Sequence, residues 1–202
     1  MSVIIAGIHT GIGKTLCSAI ICQSTGCDYW KPVQAGNLDD TDSIFIQKNT
    51  DNHIKIHPEA YRLKIAASPH FAAEKEGIEI TRENIQIPKS NKPIVIETAG
   101  GIMSPLSLDF LNINLIQRLE LPVILVSNNY LGSINHTLLS VEALQERNIP
   151  IKGIVFSGEK NEASESFILE YTQLPLLFAI PFLPRIDKES VAKVAASIKI
   201  DL

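Results

Sequence analysis

The chain contains 202 residues, of which 45% are hydrophobic and 20% are charged. This composition is typical of a soluble globular chain with a sizeable core, and it excludes the highly charged, apolar-poor class of disordered proteins. The formal net charge of −4 argues against a nucleic-acid partner, and the lack of an apolar run near the ~20 residues of a transmembrane helix argues against a membrane partner.

Short apolar segments alternate with amphipathic segments along the whole chain. The apolar segments are rich in Val, Ile and Leu without polar alternation, which is typical of strands buried on both faces of a parallel sheet. In chain order the pattern predicts strands at 3–7, before Lys31, 93–96, 122–127, 151–156 and 176–180. It predicts helices at 13–25, 40–48, 108–119, 133–147, 161–171 and 187–198. We therefore expect one doubly wound α/β domain over residues 1–202, with a mostly parallel sheet and helices on both faces.

Residues 50–90 are harder to assign than the rest of the chain. The segment is polar and carries Pro58, Pro69 and Pro88, which interrupt regular structure. It predicts one or two helices joined by loops at one edge of the sheet.

The first predicted strand runs into a glycine-rich loop, Gly7-Ile8-His9-Thr10-Gly11-Ile12-Gly13-Lys14-Thr15, called here the phosphate loop. A strand, such a loop, Gly-Lys-Thr and a helix in this order predict a P-loop NTPase-like fold. Backbone N–H groups and the helix N-terminus attract phosphate, Lys14 neutralises phosphate oxygens, and the Thr15 hydroxyl is a Mg²⁺ ligand. The loop is one residue longer than the standard pattern, because Ile8 stands where glycine is expected.

Glu97 ends the predicted strand 93–96 and precedes Thr98, Ala99 and Gly100. Ligands bind at the carboxyl ends of strands in α/β sheets, so a carboxylate there predicts a Mg²⁺ ligand, acting directly or through water. The glycines after it allow the backbone to approach a nucleotide closely. The alternative is a glutamate that simply leaves the strand into solvent.

Lys31 ends the second predicted strand and faces the same edge of the sheet as Lys14. Two lysines around one phosphate loop indicate phosphoryl transfer between two anions, although a surface lysine is an equal alternative. Asp39, Asp40 and Asp42 follow, and any of them could reach the metal. The three carboxylates could equally cap the helix predicted at 40–48.

The cysteines and the two histidines His53 and His57 do not predict a metal centre. Cys17, Cys22 and Cys27 match neither a zinc pattern nor a disulfide framework, and they are expected to fill the core of a protein from the reducing cytoplasm. His53 and His57 are spaced like a pair of metal ligands, but their polar surroundings predict surface histidines.

Several segments together resemble the dethiobiotin synthetase family. They cover most of the first 140 residues: Gly7–Thr15, Trp30–Val33, Thr41–Ser43, Ser68–His70, Glu97–Gly101, Leu121–Val126 and Leu131–His136. The last 60 residues match mainly in the order of their elements. The resemblance implies an ATP- and Mg²⁺-dependent ligase that closes 7,8-diaminononanoate and CO₂ into dethiobiotin, through a carbamate and a carbamic–phosphoric mixed anhydride. It also implies a cytoplasmic homodimer.

The same resemblance implies roles for individual residues. Lys14, Lys31 and Thr10 would stabilise the carbamate and the phosphoryl group. Thr15, Asp42 and Glu97 would hold Mg²⁺. The substrate would also contact Ala35, Leu131, Gly132, Ser133 and Asn135, at an interface where a helix start receives its carboxylate. The nucleotide would also contact Gly11, Ile12, Gly13, Leu16, Thr98, Ala99, Gly100, Ser157, Gly158, Pro181, Phe182 and Leu183.

The chain departs from the family pattern at four places. Gly11 stands where Glu is usual and Ala35 where Ser is frequent, so those side-chain roles do not carry over. Thr98 replaces a glycine and is expected to crowd the nucleotide. Ser157 and Gly158 stand where Asn-Asp often reads the adenine edge, which predicts a weaker preference for ATP over other triphosphates.

Two other classes remain open from the sequence. A partitioning-type ATPase switch has the same fold, but it carries a second lysine early in the phosphate loop, and no lysine lies between Gly7 and Gly13. A non-catalytic nucleotide-binding module is the other alternative, and the presence of both Lys31 and Glu97 disfavours it.

Overall fold

A computed structural model describes all 202 residues, and it contains nine strands and seven helices. The strands are β1 (Val3–Gly7), β2 (Asp28–Trp30), β3 (Val33–Ala35), β4 (Ile56–His57), β5 (Tyr61–Leu63), β6 (Ile94–Glu97), β7 (Val123–Asn128), β8 (Ile151–Ser157) and β9 (Leu176–Ile180). The helices are α1 (Lys14–Thr25), α2 (Asp42–Asn49), α3 (Pro69–Glu76), α4 (Asn112–Leu119), α5 (Ser133–Gln145), α6 (Glu162–Thr172) and α7 (Lys188–Ser197). None of the helices is both long and apolar enough to span a membrane.

Seven strands form one parallel sheet in the order β4-β2-β6-β1-β7-β8-β9. The chain starts at the central strand β1 and builds outward in both directions, so the prediction of a doubly wound α/β fold is confirmed. All strands point the same way, so the loops after β1, β2 and β6 meet at one edge of the sheet. That edge carries the phosphate loop, Lys31 and Glu97.

The strands are buried on both faces, which explains why their sequences show no alternation. Every residue of β1 and β6 is buried, and Tyr29 and Trp30 of β2 are among the largest fully buried side chains. Cys17, Cys22 and Cys27 are free and buried, as expected for core residues. Burial raises the pKa of the Cys22 thiol well above its usual value.

The prediction for residues 50–90 was only partly right. The segment holds one helix, α3, but also two short strands that the sequence analysis missed, and β3, which precedes α2, was missed as well. β4 extends the main sheet beside β2, while β3 and β5 form a separate parallel pair. Strands of two or three residues are too short to show any periodicity, which is why the composition concealed them.

The histidine and aspartate predictions also need correction. His57 is not a surface residue: it is buried, with Nε2 3.2 Å from Asp28 Oδ2. Burial opposes ionisation of Asp28, but hydrogen bonds from Ser90 and His57 outweigh it and leave the pKa of Asp28 below its usual value. The N-cap of α2 is Thr41, whose hydroxyl accepts the N–H of Ile44 at 3.1 Å, and of the three aspartates only Asp42 lies in the first turn, where its charge complements the helix dipole.

Candidate active site

The phosphate loop leads from β1 into α1 with two glycines in the left-handed region, Gly11 at φ 69° and Gly13 at φ 93°. A third glycine makes room for the lysine, because a Cβ at Gly7 would lie 2.9 Å from Lys14 Cδ. The buried Lys14 ammonium donates to the His9 carbonyl at 2.9 Å, so it points back over the loop. Burial lowers the pKa of Lys14 to about 8, against the opposing attraction of Glu97.

One hydroxyl and two carboxylates converge from three elements beside the loop. Thr15 Oγ1 of α1 lies 2.7 Å from Asp42 Oδ1 of α2 and 2.9 Å from Glu97 Oε1 of β6. The hydroxyl carries one hydrogen, so it donates to only one of these oxygens at a time. Lys31 Nζ contacts Asp42 Oδ2 and lies 3.9 Å from Glu97 Oε1. We call Thr15, Lys31, Asp42 and Glu97 the carboxylate cluster.

The donor set of this cluster fits Mg²⁺. The ion prefers oxygen ligands, takes one or two protein carboxylates, and completes its octahedron with water and phosphate oxygens. The chain has no group of three or more His, Cys, Asp or Glu side chains that could hold a metal. Thr15, Asp42 and Glu97 offer one hydroxyl and two carboxylates, which matches the few protein ligands that Mg²⁺ takes. The carboxylate that ends β6 faces this cluster rather than solvent.

Glu97 is held by two residues that the sequence analysis missed. Tyr29 OH donates to Glu97 Oε2 at 2.9 Å, and Ser18 Oγ lies 2.9 Å from both Glu97 Oε2 and the Lys14 carbonyl, to one of which it donates at a time, so Oε1 is left to face Thr15. Burial raises the pKa of Tyr29 well above its usual value, so it remains a hydrogen donor. A signal was available, because Ser18 lies one helical turn after Lys14 and Tyr29 lies two strand residues before Lys31.

A cavity of about 540 Å³ opens beside the cluster. Its lining brings together predicted residues from four segments, namely Thr10, Lys31, Ala35, Asp42, Ala99 and Gly100. Gln34 also lines it, with an amide oxygen that is buried and has no partner. Burial lowers the pKa of Lys31, while the Glu97 carboxylate opposes that change. The cavity thus joins one lysine, two aspartates (Asp40 and Asp42) and neutral polar groups next to the phosphate loop.

The loop after Glu97 does not behave as the sequence suggested. Thr98 does not turn toward the nucleotide side: it is buried, with its hydroxyl 3.4 Å from the Ile5 carbonyl, so the expected crowding does not arise. The Asn112 amide, which the sequence analysis missed, donates to the carbonyls of Ala99 and Gly101, the second at 2.9 Å. Asn112 therefore fixes the backbone that lines the cavity.

The remaining nucleotide candidates lie around the loop and toward β9. Ile12 and Leu16 are buried beneath the loop. Ser157 is buried against it, since a Cβ at Gly13 would collide with Ser157 Oγ. Another cavity, of about 580 Å³, is lined by Pro181 and Leu183 among others, whereas the Phe182 side chain is largely exposed.

The predicted substrate residues at the start of α5 form a separate group. Gly132 caps the helix at φ 98° without a side-chain hydrogen bond, and the Ser133 side chain is buried. Leu131 is fully exposed and Asn135 is exposed, beside a cavity of about 710 Å³ that they line. The structure therefore does not bring these residues into the cavity that holds Lys31.

Known proteins match the chain over nearly its whole length. A family model described as an AAA domain matches residues 1–190. The ATP-dependent dethiobiotin synthetase of Cytophaga hutchinsonii is 48% identical over 96% of this chain and 95% of the relative. Those of Rhodopseudomonas palustris and Brucella ovis are 39% and 42% identical, over 96% and 93% of this chain and 92% and 89% of the relatives.

Solved structures support the fold alone. The ParA family ATPase of Chlorobium tepidum superposes with a TM-score of 0.58 at 13% identity, covering 96% of this chain and 97% of that one. The cell division ATPase MinD of Pyrococcus furiosus gives 0.55 at 13% identity, with the same coverage. The sequence matches are far stronger and extend across both chains. The chain belongs to the ATP-dependent dethiobiotin synthetase family.

Proposed function

We propose that this chain closes 7,8-diaminononanoate and CO₂ into dethiobiotin at the expense of ATP. One observation carries the proposal: Lys14 and the carboxylate cluster meet at one edge of the sheet, beside a cavity of about 540 Å³. This arrangement offers a phosphate site and an acceptor site that share one wall. The choice of substrate is supported by the relatives, which are named ATP-dependent dethiobiotin synthetases.

The reaction divides into three steps, each with a balanced transfer. One substrate amine adds to CO₂ and loses a proton, which gives a carbamate. A carbamate oxygen attacks the γ-phosphorus of ATP, and ADP leaves as the P–O bond breaks. The second amine then attacks the carbonyl carbon of the resulting mixed anhydride and loses a proton, and phosphate leaves as the cyclic urea forms. Each step builds or moves negative charge, which positioned cations stabilise.

The roles of the side chains follow from their positions. Lys31 lines the cavity and stands between Asp42 and Glu97, so it would stabilise charge on the carbamate and on the transferring phosphoryl group. Thr10 lines the same cavity and would hydrogen-bond the carbamate. Lys14 would neutralise phosphate oxygens over the loop. Thr15, Asp42 and Glu97 would hold Mg²⁺, which supplies charge neutralisation on phosphate oxygens when bound.

The working form would be a cytoplasmic homodimer. The start of α5 presents Leu131, which is fully exposed, with Tyr130 and Leu139 also exposed nearby. An exposed apolar helix start with free N–H groups suits a partner copy and a substrate carboxylate. The three buried free cysteines suit a reducing compartment.

The dimer proposal is tested by Leu131→Asp, with Leu108→Asp as the control. Leu108 is 96% exposed and lies in the connection between β6 and α4. Light scattering should give a dimer for the native chain and the control, and a monomer for Leu131→Asp. A native monomer with full activity would contradict the dimer.

The activity is tested by incubating the purified chain with ATP, Mg²⁺, bicarbonate and diaminononanoate, and by detecting dethiobiotin by mass spectrometry. Lys75→Ala, an exposed lysine on α3, serves as the control for lysine variants. ATP hydrolysis without dethiobiotin would favour a partitioning-type switch instead. The absence of a lysine between Gly7 and Gly13 argues against that alternative.

A further inference from the structure

The two sides of the phosphate loop carry different groups. Lys31, Asp42 and Glu97 all lie on the side of β2 and β6. On the other side, β7 and β8 end next to the loop, with Ser157 against Gly13. Since the transferred phosphate would lie with Lys31 and Glu97, the nucleoside end of the triphosphate extends toward β7 and β8.

Asn128 ends β7 on that side and pairs in register with Ser157. Its amide stands over Gly158: a Cβ at Gly158 would lie 3.2 Å from Asn128 Nδ2 and 3.6 Å from Oδ1. Asn128 is half-buried, and its amide makes no hydrogen bond within the chain. The NH₂ group of the next amide, Asn129, by contrast donates to Glu165 Oε1 at 2.6 Å and to the Glu159 carbonyl at 2.9 Å, while its Oδ1 is buried without a partner.

Gly158 is what admits this amide. Its φ of 94° is a conformation that residues with side chains rarely adopt, and a side chain there would press on Asn128. Its N–H donates to the Ile180 carbonyl at 3.0 Å, which fixes the end of β8 against β9. A residue with a side chain at position 158 and a free amide at position 128 would therefore compete for one space.

We propose that Asn128 reads the adenine base, an inference that rests on the proposed ATP-dependent function. Adenine presents its 6-amino donor next to a ring-nitrogen acceptor on either edge. The amide of Asn128 offers an oxygen acceptor and an NH₂ donor side by side, which complements that pair. If Asn128 reads the base, the weak ATP preference predicted from Ser157 and Gly158 does not follow, because the reading group lies on the neighbouring strand.

The test is a group-deletion cycle on nucleotide binding. Calorimetry measures Kd for ADP and for purine riboside diphosphate, which lacks the 6-amino group. The native chain should bind ADP about tenfold more tightly, the size expected of one hydrogen bond. Asn128→Ala should bind both with equal affinity, while the exposed control Asn52→Ala keeps the tenfold preference.

A second variant should shift the base preference from adenine toward guanine. Asn128→Asp presents two acceptors, which face the ring N–H and 2-amino donors of guanine but repel the ring nitrogen of adenine. The ratio of ADP affinity to GDP affinity should therefore fall at least tenfold in this variant. Thermal unfolding checks that each variant is folded, and if Asn128→Ala is not, Asn128→Asp carries the test.

Three outcomes would overturn the inference. These are a native chain that shows no preference for the 6-amino group, an Asn128→Ala variant that keeps the native preference, and an Asn128→Ala variant that loses affinity for ADP and for purine riboside diphosphate by the same factor. Dethiobiotin formation is scored separately in the native chain. A chain that makes dethiobiotin but shows no effect at Asn128 loses only this inference. A chain that binds ADP through Asn128 but makes no dethiobiotin loses the proposed function.

Discussion

The two sides of the phosphate loop differ in how fully their polar groups are paired. On the side of β2 and β6, Thr15, Lys31, Asp42 and Glu97 contact one another, and Tyr29 with Ser18 holds Glu97 from behind. On the side of β7 to β9, the Asn128 amide has no partner, and Leu131 and Phe182 are exposed. The charged groups of the first side are therefore organised by their contacts with one another, although the buried Gln34 Oε1 beside them has no partner, whereas the second side carries an unpaired amide and exposed apolar side chains.

The difference follows from what each side would do. Charge that develops during phosphoryl transfer is stabilised most by groups that need not reorganise, so the β2 and β6 side benefits from fixed contacts. Holding two lysines there is costly, because burial lowers the pKa of both Lys14 and Lys31. Base recognition and subunit contact need only complementary surfaces. Breaking the organised side should therefore produce larger effects than breaking the open side.

The largest effect is expected for Lys14→Met. Losing a preorganised contact to a developing phosphoryl charge costs about 10²–10³ in turnover, because no other group in the loop supplies that charge. Steady-state kinetics of dethiobiotin formation measures it, with Lys75→Met as the control. A variant that retained more than a tenth of native activity would remove Lys14 from the mechanism.

The same substitution should stabilise the fold. The pKa of Lys14 is lowered from 10.5 to about 8, so below pH 8 the folded chain bears the full cost of a buried charge. Between about pH 8 and 10.5 the unfolded chain binds more protons than the folded chain does, so the free energy of unfolding of the native protein rises with pH. The free energy of unfolding of Lys14→Met should thus exceed that of the native chain by up to about 3 kcal/mol at pH 7, and the difference should close toward pH 10.5. Urea unfolding at several pH values measures it, and a gap independent of pH would refute the burial cost.

Lys31→Met should lower kcat about a hundredfold while leaving the affinity for a non-hydrolysable ATP analogue within a few fold. The reason is that Lys31 lines the acceptor cavity rather than the phosphate loop, and an interaction made mainly in the transition state lowers kcat. Calorimetry and kinetics are compared on the same preparation. If nucleotide affinity falls as far as kcat, Lys31 is a nucleotide ligand instead.

The smallest of these effects is expected for Tyr29→Phe, which removes one of the two hydrogen bonds to Glu97 Oε2 and leaves that of Ser18. Freed on one side, Glu97 should hold Mg²⁺ less well, so the Mg²⁺ concentration that gives half-maximal ADP binding should rise about tenfold. Tyr171→Phe, exposed on α6, is the control. An unchanged Mg²⁺ requirement would limit Tyr29 to a packing role.

The fold and the site on the side of β2 and β6 could be predicted from the sequence, because both depend on local sequence patterns. Apolar runs mark the buried strands, and Gly-Lys-Thr after a strand marks the phosphate loop. Glu97 stood out as a charge at a strand end, whereas the contact of Tyr29 with Glu97 joins residues 68 positions apart, so only the position of Tyr29 two residues before Lys31 pointed to it. The sequence analysis missed Asn128 for the same reason, because its proposed role depends on the contact with Gly158, which lies 30 positions later and on the neighbouring strand.

The most direct measurement of the central claim follows one carbon atom and one ATP together. The native chain is given ¹³C-bicarbonate, diaminononanoate, ATP and Mg²⁺, and the products are quantified by mass spectrometry and chromatography. The account predicts dethiobiotin heavier by one mass unit, with the label in the ring carbonyl, and one ADP released per ring closed. ADP released without labelled dethiobiotin, or labelled dethiobiotin formed without ADP, would contradict it.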